Sequence, residues 1–167
     1  ISTPPPGIEV DLLAIVAVSL STLLAIIDRH VTTASSLARD AHELMVEAIE
    51  SVPQWFSLFD ADDRLVICNR KYREVVSGPG VQVRTGDSFE SIIRRIAERG
   101  DIPAAIGNVE SWVQRRLDMH RNPQEPYIQY RSNGEWTQIN ERRTKDGGIV
   151  AIATDITALK NAEQTAE

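Results

Sequence analysis

Trp136-Thr-Gln-Ile-Asn-Glu-Arg-Arg143, Thr144-Lys-Asp-Gly-Gly148 and Ile149-Val-Ala-Ile-Ala-Thr-Asp-Ile-Thr157 form the stretch whose reading decides the fold. The two outer runs alternate like strands, and the Asp-Gly pair between them tolerates the positive φ that a tight hairpin turn needs. Asp155 and Thr157 then sit where the second strand gives way to a helix. Either side chain can accept the orphan amides of that helix's first turn. Leu159, Ala162 and Ala166 give this last helix an apolar spacing of three then four, which suits a coiled coil.

Working outward, Ser132-Asn-Gly134 predicts a second tight turn and a strand at 127–131 before it. Further upstream, residues 55–60 and 64–68 read as strands joined by the polar turn Ala61-Asp-Asp63. Asn69 caps a short helix Arg70–Val76, and Asp87 or Ser88 caps a second one to about Arg99, stopped by Gly100. Asn108 caps a third, about Val109 to His120, whose apolar stripe is Val109, Trp112, Val113 and Leu117. The predicted order is helix, two strands, three helices, three strands, helix.

The N-terminal third differs in character. Thr3-Pro-Pro-Pro-Gly7 cannot be helix interior, because proline lacks the amide donor and fixes φ, so residues 1–7 read as a linker. From about 8 to 52 neither proline nor glycine occurs. A heptad seam of Leu13, Ala17, Leu20, Leu24, Ile27, Val31, Ala34, Ala38, Ala41, Met45, Ala48 and Val52 predicts one long helix. Its later part, from Val31 to Val52, is expected to form a parallel dimer seam, packing of this face on the chain's own sheet being the alternative, and Pro53 ends it. Leu12 to Ile27 is uncharged but short of the roughly 20 residues that cross a hydrocarbon core. With Ile8 and Val10 added, residues 8–27 are expected to span a membrane, a helix packed in protein being the alternative. Arg29, His30 and Arg39 lie beyond the run. The positive-inside tendency then places the following domain on the cytoplasmic face of the inner membrane.

This order, with the hairpin Trp55-Phe-Ser-Leu-Phe-Asp-Ala-Asp-Asp-Arg-Leu-Val-Ile-Cys-Asn-Arg-Lys-Tyr72 and the Asp155-Ile-Thr157 exit, resembles the PAS sensor domains of bacterial signalling proteins. The resemblance implies an α+β PAS fold, a five-stranded antiparallel sheet with helices on one side, over residues 53–157. A long N-terminal helix precedes it, and residues 158–167 start an output helix. It further implies a sensory and regulatory module that dimerises and relays a signal to a C-terminal effector, such as a histidine kinase or a nucleotide or diguanylate cyclase, missing from this chain. Asp155 and Thr157 are then the signal exit. A ligand-free dimerisation and spacer module, or a haem-binding sensor, are the alternatives.

Composition and motifs limit the chemistry. A formal net charge of −6, with basic residues interspersed among acids, argues against a nucleic-acid surface. One cysteine, Cys68, excludes an internal disulfide and any paired-cysteine zinc site. No Walker-type, Gly-x-Ser-x-Gly or His-Glu-x-x-His motif occurs, so no enzyme and no metal centre is expected within this chain. Cys68 departs from the flavin-adduct context of light-sensing relatives and reads as a small buried hydrophobe. His120 reads as a surface or capping histidine at a helix exit rather than as a haem ligand. The cofactor is left unknown, with haem and flavin disfavoured.

Candidates for a small-molecule pocket are Cys68, Asn69, Tyr72, Trp136, Asn140 and Arg142. The last three share one face of a strand with Gln138. Turned inward, that face offers an aromatic wall, two amides and a guanidinium able to grip a carboxylate. Turned outward it is an ordinary polar surface, and the cost of burying an unpaired Arg weighs for that reading.

Overall fold

The computed structural model describes residues 12–166. Two compact units divide at Val46 and Glu47. The first consists of helical residues of α1 (Leu12–Ser51), which carries Leu24, Val31, Leu37 and Met45 exposed along its length. The linker 1–7 and residues 8–11 of the expected membrane span lie outside the described residues. Among those described, no helix is long and apolar enough to cross a membrane, which overturns the expected membrane helix. The physical reason is length: the uncharged run stops at Ile27, and Asp28, Arg29 and His30 follow on the same helix.

The second unit is an α+β PAS fold. β1 (Trp55–Phe59), β2 (Leu65–Cys68), β3 (Tyr127–Tyr130), β4 (Trp136–Arg143) and β5 (Ile149–Asp155) make one antiparallel sheet in the order β2-β1-β5-β4-β3. α2 (Arg70–Val76), α3 (Phe89–Glu98), a 3-10 turn at Pro103–Ala105 and α4 (Val109–Arg121) cover one side of it. α5 (Thr157–Ala166) follows the last strand. The hairpin turns use the predicted glycines, with φ of 90° at Gly134 and 89° at Gly147.

The core is the inner face of the sheet against α3 and α4. Phe59, Leu65, Phe89, Ile92, Trp112 and Val113 lie at its centre, each at most 5% exposed. The stripe on α3 places Phe89, Ile92, Ile93 and Ile96 on one side, as its three-and-four spacing requires. The Ser88 hydroxyl accepts the Ser91 amide and caps that helix, while Asp87 accepts from Arg84 and Arg95. Asn108, expected to cap α4 with its side chain, makes no such bond. Its backbone is tied into the preceding turn instead, through Asn108 N to Ala105 O.

Candidate functional site

Between the sheet and α2, α3 and α4 lies a cavity of about 60 Å3. Its walls are largely apolar: Val75 and Val76 of α2, Ile92, Ile93 and Ile96 of α3, and Ala151 and Ala153 of β5. Polar groups reach it from Tyr72, Arg116, Gln129, Arg131 and Glu141. Desolvation holds the Tyr72 phenol above its ordinary pKa, so it faces the cavity as a neutral hydroxyl.

One buried ionic cluster adjoins this space. Arg116 Nη1 and Nη2 donate to the two carboxylate oxygens of Glu141 at 3.0 and 2.7 Å, a bidentate pair with both side chains nearly inaccessible. His120 Nδ1 lies 2.7 Å from Glu141 Oε1 and must be the donor there, since an ionised carboxylate only accepts. Burial alone would push the Glu141 carboxyl up. The hydrogen bond from His120 and the charge of Arg116 outweigh it and bring it down to about 2. The His120 ring stacks on Phe89 at 3.6 Å and meets the edge of Phe59 at 5.3 Å. Its Nε2 is buried without a hydrogen-bond partner among the described residues. Asp63 Oδ1 is 3.9 Å away, beyond hydrogen-bond range.

His120 is therefore fully buried and not the surface or capping residue that its helix-end position suggested. Three aromatic and ionic partners, none near it in sequence, hold it inside. Nor does it fit the role of a haem ligand: one ring nitrogen is engaged by Glu141, the ring is packed by two phenylalanines, and the cavity has no room for a porphyrin. Among the described residues no group of histidine, cysteine and acidic side chains is arranged to hold a metal ion.

The six pocket candidates separate into three groups. Tyr72 lines the cavity. Cys68 and Asn69 are buried beside it but act as structure: burial pushes the Cys68 thiol up, and Asn69 is a strut. The Asn69 side-chain oxygen accepts from Phe56 N and Tyr72 N, and its amide donates to Val52 O and Gln54 O. These bonds fix the chain leaving α1 to β1 and α2, and Glu50 adds to them by accepting from Arg70 N and Arg73. Trp136, Asn140 and Arg142 point away from the cavity. Trp136 packs against Tyr130 with its ring tilted by 42° on the outer face of the sheet, and Asn140 and Arg142 are exposed. The reason is the register of β4, which turns Thr137, Ile139 and Glu141 inward, with Glu141 compensated by Arg116 and His120.

The residues missed by sequence are thus Arg116, Gln129, Arg131 and Glu141. A signal for one of them existed: Arg116 and His120 are four residues apart within the stripe Trp112, Val113, Leu117, so both fall on the buried face of α4.

At the other end of the same strands, Asp155 Oδ1 accepts the Thr157 amide at 2.8 Å and the Thr157 hydroxyl. That hydroxyl oxygen also accepts Trp136 N at 2.9 Å. The start of β4, the end of β5 and the first turn of α5 are tied through two side chains. The hydrogen bonds from Thr157 hold the Asp155 carboxyl below its ordinary pKa. Val31, Ala34, Ala38, Ala41, Met45 and Ala48 of the expected dimer seam are exposed on α1, whereas Val52 is half-buried just past its end.

Comparison with known proteins gives a family. Residues 49–164 match the family model described as PAS fold. The non-motile and phage-resistance protein of Caulobacter vibrioides is 35% identical over 133 residues, which are 78% of this chain but 14% of that protein. The chain therefore aligns with a small part of this curated relative. Among solved structures, the PAS domain of an HTR-like protein from Haloarcula marismortui matches with a TM-score of 0.44 at 12% identity, over 75% of this chain and 99% of that one. The PAS domain of Bordetella pertussis BvgS matches with a TM-score of 0.40 at 17% identity, over 76% and 97%.

Proposed function

The chain belongs to the PAS fold family, and from that premise we propose that it relays the state of its internal cavity to an effector attached beyond α5. One observation carries this reading: the strands that wall the cavity are the strands that hold the exit cap. β5 contributes Ala151 and Ala153 to the cavity and Asp155 to the cap, and β4 contributes Ile139 and Glu141 to the cavity and its Trp136 amide to Thr157. A shift of the inner residues by ligand or partner therefore changes the angle or register at which α5 departs, biasing a two-state coupling to the effector.

The module is further proposed to act as a parallel dimer through α1. The exposed Val31, Ala34, Ala38, Ala41, Met45 and Ala48 support this, since a heptad repeat of apolar residues is stabilised by a partner helix. The relay is tested in the full-length protein with Asp155→Ala, by measuring melting and effector output on the same preparation. Output or its response to stimulus should change several-fold with the domain still folded. Parental output and regulation would make the triplet a structural cap only.

A further inference from the structure

The alternation of β3 turns Gln129 to the inner face, and Arg131, the second residue after it, follows on the same side; they are 5% and 6% exposed. Both line the cavity. The Gln129 side-chain amide makes no hydrogen bond with any described residue, so its two donors and its acceptor are open toward the cavity that it lines. Arg131 is also incompletely served. Among the described residues its side chain makes one hydrogen bond, to Asp101 Oδ2 at 3.3 Å, and that carboxylate is already gripped by Arg99. The rest of the guanidinium faces Trp55, 5.7 Å from the ring centre. Burial pushes the Arg131 pKa down despite the nearby Asp101 and Glu135.

Arg116, the other cation on the cavity, has its fork filled by Glu141. One wall thus presents a buried cation with open donors beside an open amide. The opposite wall is the apolar Ile92, Ile93 and Ile96, and the anionic Glu141 also borders the space.

We propose that this cavity binds a small monocarboxylate with a short hydrocarbon tail, its carboxylate on Arg131 and Gln129 and its tail against the isoleucines of α3. A guanidinium and a carboxamide lining one cavity supply N–H donors enough for the two oxygens of a carboxylate. A second carboxylate is disfavoured by Glu141 and by the apolar wall. Size sets the rest: at roughly 10–15 Å3 for each water-sized position, about 60 Å3 admits a ligand of about four to six non-hydrogen atoms, the range of propionate and butyrate. The role of such a ligand as a signal rests on the relay proposed above, whereas its binding does not.

The test is titration of this chain with propionate and butyrate, followed by calorimetry and by the resonances of the Trp55 indole and the Ile92, Ile93 and Ile96 methyls. Saturable shifts at these positions are expected. Propionamide, of the same shape without charge, should bind at least about tenfold more weakly, because charge-assisted bonds are about twice as strong as neutral ones. Arg131→Met and Gln129→Leu should each weaken propionate by about tenfold or more, while Arg142→Met on the outer face leaves it unchanged. If Arg131→Met does not fold, Gln129→Leu decides. No saturable shift with either acid, equal binding of propionamide, or parental affinity in Gln129→Leu would overturn the proposal. Failure here with an altered output in Asp155→Ala removes the ligand class and leaves the relay; binding with parental output in Asp155→Ala does the reverse.

Discussion

Glu141→Gln tests the buried cluster that borders the cavity. The substitution keeps the shape and one acceptor but removes the charge facing Arg116, whose side chain is 5% exposed. Breaking a buried ion pair from one side costs about 3–5 kcal/mol, since the remaining charge is left uncompensated. The carboxyl itself gives a second route to the magnitude. Lowering it from 4.5 to about 2 corresponds to about 3 kcal/mol at neutral pH. The two agree, so the variant should lose about 3 kcal/mol in urea unfolding followed by circular dichroism, or roughly 10 °C in melting temperature for a domain of this size.

Removing both charges, as Arg116→Met with Glu141→Leu, should recover at least about half of that loss. The His120 nitrogen is then the main group left unserved, at about 1–2 kcal/mol. The sign with pH follows from the depressed carboxyl. Its contribution is fully present above 4.5 and is lost as pH falls toward about 2. The gap between parent and Glu141→Gln should accordingly close on acidification. A variant within about 0.5 kcal/mol of the parent at pH 7, the range of ordinary surface substitutions, would refute the claim that this pair is desolvated and coupled.

Thr157→Val removes an acceptor for Trp136 N and a donor to Asp155; a loss of about 1–2 kcal/mol in thermal unfolding is expected. Gly148→Ala would place a Cβ 2.3 Å from the Phe59 carbonyl oxygen and should cost at least about 2 kcal/mol. Gly78→Ala meets only the flexible end of Arg99 and should stay within about 1 kcal/mol of the parent, so paired melts of the two glycine variants check the packing. Ala38→Glu with Ala41→Glu puts like charges on the α1 seam and should give a monomer by sedimentation if the parent is a dimer; an unchanged dimer rejects the seam.

Local chemistry carried most of the fold. Asn-Gly and Asp-Gly turns, the Asn69 and Ser88 caps, Pro53 and the α3 stripe each act within a few residues, and together they prescribe the observed element order. The site was less legible because its partners are distant along the chain. The parity of β4 was readable, but which face turned inward was not, as both faces carry polar residues. The compensation of Glu141 comes from Arg116, 25 residues earlier. The depth of His120 likewise depends on Phe59 and Phe89 rather than on its own helix. Gln129 and Arg131 precede a turn and follow two prolines, which masked their inward direction. The membrane expectation rested on joining residues 8–11 to a run of apolar residues that ends at Ile27, too short a stretch for the purpose.

The relay from cavity to effector is tested most directly by occupying the cavity without any ligand. Ala153 is 7% exposed, lines the cavity and lies two residues before Asp155 on β5. Ala153→Val adds two carbons into that space, and volume changes of this kind typically cost about 1–3 kcal/mol where room is short. The measurement is effector output of the full-length protein carrying this change, with and without its stimulus. The account predicts a folded protein whose output is fixed near one level and whose response is blunted several-fold. Parental output with a parental response, in a protein whose cavity is verifiably filled, would contradict it.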